Sequence, residues 1–153
     1  MKVSELMSQR VVAVRVTDHA SVAGRLMWDC DCGSVPVLDH DDRAIAMITD
    51  RDICMATIHQ DRPPSAIAVW EAMSKTLHSC GPDDSVASVE EVMRKFQIRR
   101  VPVLNPERRL IGILSLADVV RATAGRKVDD VTATLANICA PHRTSTASAA
   151  ASA

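Results

Sequence analysis

The chain has 153 residues, with 18 Lys and Arg against 19 Asp and Glu and a net charge of −1. Because both signs are interspersed, it offers no broad cationic face for nucleic acid, and no apolar run approaches the length that spans a bilayer. Five cysteines at irregular spacing suit reduced thiols better than a disulfide framework, and Met1-Lys2-Val3-Ser4-Glu5 lacks the pattern of a signal peptide, so a cytoplasmic protein is expected.

Val3 to Met7, with Ser8, reads as a short helical lead-in, and Val11-Val12-Ala13-Val14 as a β-branched strand. Asp18 is placed to cap a helix from about His19 to Asp29, with Val22, Leu26 and Met27 on its apolar face and Gly33 closing it. Ser34-Val35-Pro36-Val37-Leu38 is a strand whose proline requires an edge or a bulge, since it donates no ladder bond. After the turn Asp39 to Asp42, Arg43 to Ile48 forms the next strand and Thr49 to Asp52 starts a helix. Gln60 to Ser65 is a linker stiffened by Pro63 and Pro64.

The order then repeats. Trp70 to Ser74 is the lead-in, Leu77 to Cys80 a strand, Asp84 to Phe96 a helix, Arg100 to Leu104 and Arg109 to Leu114 two strands, and Ser115 to Thr123 the closing helix. Val128, Val131, Leu135 and Ile138 have helical spacing, so a further helix to about Ala140 is expected. Its stripe needs cover, either from this chain or from a second copy, and a dimer contact is the favoured expectation. After Pro141 the Thr/Ser/Ala composition has nothing to bury and reads as a disordered tail.

The two series share one register. Met7-Ser8 returns as Met73-Ser74, Asp18 as Asp84, Val35-Pro36-Val37-Leu38 as Val101-Pro102-Val103-Leu104, Thr49 as Ser115 and Asp52 as Asp118, always 66 positions later. The chain is a tandem duplication, divided here as 1–62, 63–125, a helix over 126–140 and a tail over 141–153. Neither unit has much core alone, so an intimately packed pair is expected.

Each unit ends in a strand that runs straight into a helix, at Ile45 to Asp52 and at Leu110 to Asp118. A helix N-terminus offers unpaired N–H groups and positive dipole character, to which Thr49 or Ser115 adds a hydroxyl and Asp52 or Asp118 a carboxylate one turn on. A phosphate suits the first two features and a sugar diol the third. Capping alone accounts for the same residues, since acids in a first helical turn need no ligand.

A duplicated β-α-β-β-α unit with an early Met-Ser, a mid-unit Val-Pro-Val and a terminal Gly-apolar-apolar-Thr/Ser-x-x-Asp resembles a pair of cystathionine β-synthase (CBS) domains, a Bateman module. The resemblance covers about residues 1 to 124. It implies an α+β or α/β fold in which two repeats pack pseudo-twofold through their sheets, with two clefts that bind AMP, ADP, ATP, NAD or S-adenosylmethionine. It also implies a homodimer. Carried onto matching positions, it assigns Asp52 and Asp118 to a ribose diol and Thr49 and Ser115 to a phosphate. Pro36 and Pro102, with backbone near Val12 and His78, would flank the adenine, and Arg51, Arg99 and Arg100 would meet a polyphosphate tail. The first repeat has Ala46 where the second keeps Gly112; a methyl group there would crowd the ligand, so the Ser115/Asp118 site is expected to be the better one.

Cys30-Asp31-Cys32 has the wrong separation for a zinc knuckle, and no metal site is expected. The repeat places no nucleophile beside a base, and the chain holds neither a Walker loop nor a dinucleotide fingerprint, which argues against an enzyme. The expected function is a regulatory sensor of an adenosyl compound that passes occupancy to an effector protein; the alternative is a dimerisation scaffold with empty clefts.

Overall fold

The computed structural model describes residues 1–123 and 128–139. The first half carries β1 (Val14–Arg15), α1 (Ala20–Asp29), β2 (Ser34–Leu38), β3 (Ala44–Thr49) and α2 (Asp50–Gln60). There follow α3 (Val69–Ala72), α4 (Val86–Phe96), β4 (Arg100–Leu104), β5 (Leu110–Ser115), α5 (Leu116–Thr123) and α6 (Val128–Ile138). The expected tail over 141–153 lies outside the described residues.

The hairpins β2/β3 and β4/β5 are antiparallel and superpose in register, with Val35 opposite Ile48 and Val101 opposite Leu114. Both carry a register shift at the same place, Val37/Leu38 and Val103/Leu104. The sheets meet at a bridge between Arg43 and Arg109, which occupy equivalent positions. A residue that pairs with its own repeat mate lies beside a pseudo-twofold axis.

The prolines fit by register. β2 is the middle strand of its sheet, but β1 pairs with it only from Val37 onward. Opposite Pro36, Met47 turns its main chain away toward Ser74, so that pair demands no N–H from the proline.

Several expectations need correction. The strand read at 11–14 shrinks to Val14–Arg15, and the one at 77–80 to a bridge from Cys80 to Val103. Asp18 and Asp84 do not cap helices: each accepts from the N–H three residues before it, at Arg15 (2.7 Å) and Gly81 (2.8 Å), closing a local turn. The α1 N-terminus is instead tied to the segment that precedes α3, where the Ala20 N–H donates to the Ile67 carbonyl at 2.8 Å. The helix stops at Asp29, and Asp31, not Gly33, takes the left-handed conformation after it.

The two hydrophobic cores interleave along the chain. The first is built from residues 14–53 together with Ile67 and Val69; the second from residues 86–119 together with Val3 and Ile138. Each lead-in therefore packs on the other repeat: Val3 donates to Asp84 O and Val69 to Asp18 O.

α6 packs on α4 and α5 of its own chain, so part of its stripe has the intramolecular cover that stood beside the dimer contact as an expectation. Ile138 is buried in the second core, and Thr134 is fully buried with its hydroxyl accepting from the Arg94 guanidinium at 3.1 Å. That bond lets a threonine go inside and turns the helix so that Leu135 faces outward, 40% exposed. The side chains of Val128 and Val131 lie outside the described set.

Candidate ligand clefts

Two clefts flank the pseudo-twofold axis, each walled by both repeats. The larger, about 800 Å³, takes Thr49, Asp50, Arg51 and Asp52 from the first repeat. Facing them are Ser74, Lys75, Thr76, His78, Arg99 and Arg100 of the second, with Ile138 and Cys139 at the rim. The smaller, about 410 Å³, takes Ser115, Asp118 and Arg121 from the second repeat against Arg10, Val12, Cys30 and Pro36 of the first. Both volumes fall in the usual range of small-molecule sites, about 300–1,000 Å³.

The crossing follows from the interleaved lead-ins. The Ser8 main chain exchanges two 2.9 Å bonds with Ile113 of β5, bringing Arg10 to Val12 alongside Ser115. Ser74 donates to the Met47 carbonyl at 2.8 Å and brings Lys75 to His78 alongside Thr49. Ser34 and Arg100, equivalent in the two repeats, line both clefts and form the wall between them.

At the head of each cleft a strand ends in a capping box. The Asp52 N–H donates to Thr49 Oγ1 at 3.0 Å, while Asp52 Oδ2 accepts from the Thr49 N–H at 2.9 Å and hydroxyl at 2.7 Å. Ser115 and Asp118 repeat the pattern, with the hydroxyl donating at 2.5 Å and the N–H at 2.9 Å to Asp118 Oδ2. These bonds fix each carboxylate and leave its outer oxygen, Oδ1, to differ. Asp52 Oδ1 has no hydrogen-bond partner among the described residues, whereas Asp118 Oδ1 accepts from the Arg121 guanidinium.

The clefts also differ in charge and shape. Arg51, Lys75, Arg99 and Arg100 set four cations against Asp50 and Asp52 in the larger one. There His78 stacks on Phe96 with ring centroids 3.7 Å apart. The corresponding positions of the smaller cleft are Val12 and Cys30.

Most of the residues singled out in the sequence come together here. Thr49, Asp52, His78, Arg51, Arg99 and Arg100 share the larger cleft; Ser115, Asp118, Val12 and Pro36 share the smaller. Pro102 and Gly112 line neither. Pro102 is held in the sheet, its carbonyl accepting from Cys80 at 3.1 Å. At Gly112 a Cβ would sit 2.6 Å from Met7 Sδ and 3.2 Å from the Ser8 carbonyl, so the glycine admits the lead-in and not a ligand. Gly112 therefore gives the smaller cleft no advantage over the larger, contrary to expectation. Lys75, Thr76, Arg10 and Arg121 escaped the sequence reading; only the crossing of the lead-ins brings the first three to a cleft.

Among the described residues there is no group of three or more His, Cys, Asp or Glu suited to a metal ion, and no helix is long and apolar enough to cross a membrane. All five cysteines are free thiols. Burial, and secondarily the charge of Asp84, pushes the Cys80 thiol up to about 12, leaving it inert at neutral pH.

A strand-helix unit repeated about a pseudo-twofold axis, with a capped Thr/Ser-x-x-Asp at each cleft, defines the class. The CBS domain model matches residues 3–59 and 69–125, and the chain belongs to that family as a tandem pair. Hypoxic response protein 1 of Mycobacterium tuberculosis is 31% identical over 117 residues, covering 76% of this chain and 81% of that one. The crystal structure of Hypoxic Response Protein I with two coordinated zinc ions aligns with a TM-score of 0.72 at 30% identity, over 79% of this chain and 98% of that one. At fold level the CBS domain pair of protein MJ0100, solved with 5'-methylthioadenosine and S-adenosyl-L-methionine, gives a TM-score of 0.73 at 23% identity, over 83% and 98% of the chains. CBSX2, solved in complex with AMP, gives 0.71 at 20% identity, over 80% and 96%.

Proposed function

We propose that the protein is a non-catalytic cytoplasmic sensor in which a phosphate-bearing adenosyl ligand, AMP, ADP, ATP or NAD, is read out to an effector protein as a change in geometry. The carrying observation is the larger cleft: a carboxylate held by its capping box, its outer oxygen without a partner among the described residues, facing four cations. That oxygen can accept from a ribose diol, each charge-assisted bond contributing roughly 1.5–3 kcal/mol. The Thr49 end of α2, with Arg51, Lys75, Arg99 and Arg100, suits phosphates. The excess of cations favours nucleotides over the cationic S-adenosylmethionine, and the adenosyl ligands of MJ0100 and CBSX2 support the class. Signalling requires that the ligand bind two conformations with different affinity.

The test is thermal unfolding with AMP, ADP, ATP, NAD and S-adenosylmethionine in turn. A ligand at about a hundred times its Kd adds about 2.7 kcal/mol, a rise on the order of 5–10 °C. A rise with one nucleotide that disappears in Asp52→Ala supports the sensor; no rise with any of them leaves the scaffold reading.

That second reading draws on Trp28 of α1, 86% exposed, and Ile58 of α2, 64% exposed. The counterpart of Trp28 is Arg94, which α6 engages in the second repeat. A homodimer joined through α1 and α2 of the first repeat would bury these groups, and sedimentation of Trp28→Glu against the parent chain tests it.

A further inference from the structure

The capping boxes of the two clefts make the same internal hydrogen bonds, and they differ in what meets the outer carboxylate oxygen from three residues further on. Position 121 is arginine and its counterpart 55 is methionine. The Arg121 guanidinium bonds Asp118 Oδ1 and itself lines the smaller cleft, whereas Met55 makes no part of the wall of the larger one. With Oδ2 already taken by Ser115, both oxygens of Asp118 are engaged, and a positive charge stands where a sugar diol would approach.

We infer that Arg121 is a selectivity residue that closes the second cleft to ribose, making this duplicated protein a one-site sensor whose ligand sits against Asp52. The inference rests on the adenosyl reading given above. Two acceptor sites of equal chemistry are the default of a tandem duplication. A diol entering the smaller cleft must displace a guanidinium already paired with the acceptor, whereas Asp52 Oδ1 has no such partner among the described residues.

Isothermal titration of the intact chain with AMP, and separately with ATP, decides the matter. The expected results are one site per chain, loss of binding in Asp52→Ala, and little change in Asp118→Ala. Arg121→Met installs the residue that the first repeat already accommodates, and it should add a second site that Asp118→Ala then removes. The converse Met55→Arg should weaken the first site by about two- to fivefold, the worth of an i,i+3 ion pair whose arginine is 71% exposed. Alkylation of the exposed thiols gives a second readout: saturating AMP should shield Cys139 at the larger cleft and leave Cys30 at the smaller one reactive.

Two equal sites in the parent chain would overturn the inference while leaving the sensor reading intact. So would weaker binding in Arg121→Met, which would make Arg121 a contact for the ligand instead of a bar to it. Absence of binding in both the parent chain and Arg121→Met would overturn the adenosyl reading itself. Arg121→Ala serves as a second variant should the methionine disturb α5.

Discussion

The two seams where a lead-in joins the opposite sheet differ in how closely the lead-in approaches, and the hydrogen bonds record it. At the second hairpin Gly112 lets residue 8 come close, and Ser8 and Ile113 exchange both main-chain bonds. At the first hairpin Ala46 stands in the equivalent place, and only Ser74 N–H to Met47 O survives; the Met47 N–H takes the Ser74 hydroxyl at 3.1 Å instead. The lesson is that the Met-Ser of each unit has a local purpose, since the serine supplies either a main-chain or a side-chain acceptor as the neighbouring strand allows.

The largest expected effect tests whether the halves are one cooperative unit. Ile48 and Leu114 are equivalent and fully buried, one in each core. Changing either to Ala should cost about 2–5 kcal/mol and lower a single melting transition. Calorimetry that resolved two transitions, with only one of them shifted, would break the comparison by showing the halves to be independent.

Next comes the seam itself. Gly112→Ala forces Met7 aside and presses on the Ser8 carbonyl, for an expected loss of about 1–3 kcal/mol. The reverse exchange, Ala46→Gly, should cost only about 0.5–1 kcal/mol, from backbone entropy and a lost methyl. Equal losses in denaturant titrations would mean that the close approach at residue 8 has no energetic weight.

The smallest effect concerns how the lead-ins are pinned. The second is tied by Glu71, whose carboxylate accepts from the Ala68 N–H at 2.8 Å and pairs with Arg62; the first is tied by an exposed pair of Lys2 with Asp83. The Ala68 bond first, and Arg62 second, hold the Glu71 carboxyl below its ordinary 4.5. A depressed carboxylate contributes stability that is present above 4.5 and lost as pH falls through the lower folded value. Glu71→Gln should therefore flatten the acid side of the melting-temperature profile slightly.

How much of this was legible beforehand depended on whether a feature is local. The hairpins, the strand-to-helix junctions and the 66-residue register could be read because alternation, Val-Pro-Val and an N-cap with its acid are encoded within a few residues. Asp18 misled because an Asp before a helix serves equally well to close the turn that precedes it. The cover of α6 could not be read because a stripe reports that cover is needed and not who supplies it; the Arg94 bond to the buried Thr134 spans 40 positions. Gly112 misled for a similar reason. Its neighbour is Met7, far away in sequence, and proximity to Ser115 along the chain suggested a ligand instead.

The interleaved cores also set an order of assembly. The first draws on one nearly continuous stretch, from Val14 to Val69, so it can close as soon as that stretch has left the ribosome. The second needs Val3 beside Val86, Met93 and Leu114, a loop of more than eighty residues whose closure is entropically slower. The segment around Val3 is thus among the last to settle, and the emerging chain carries that apolar segment without a seat until residues 86–119 have emerged.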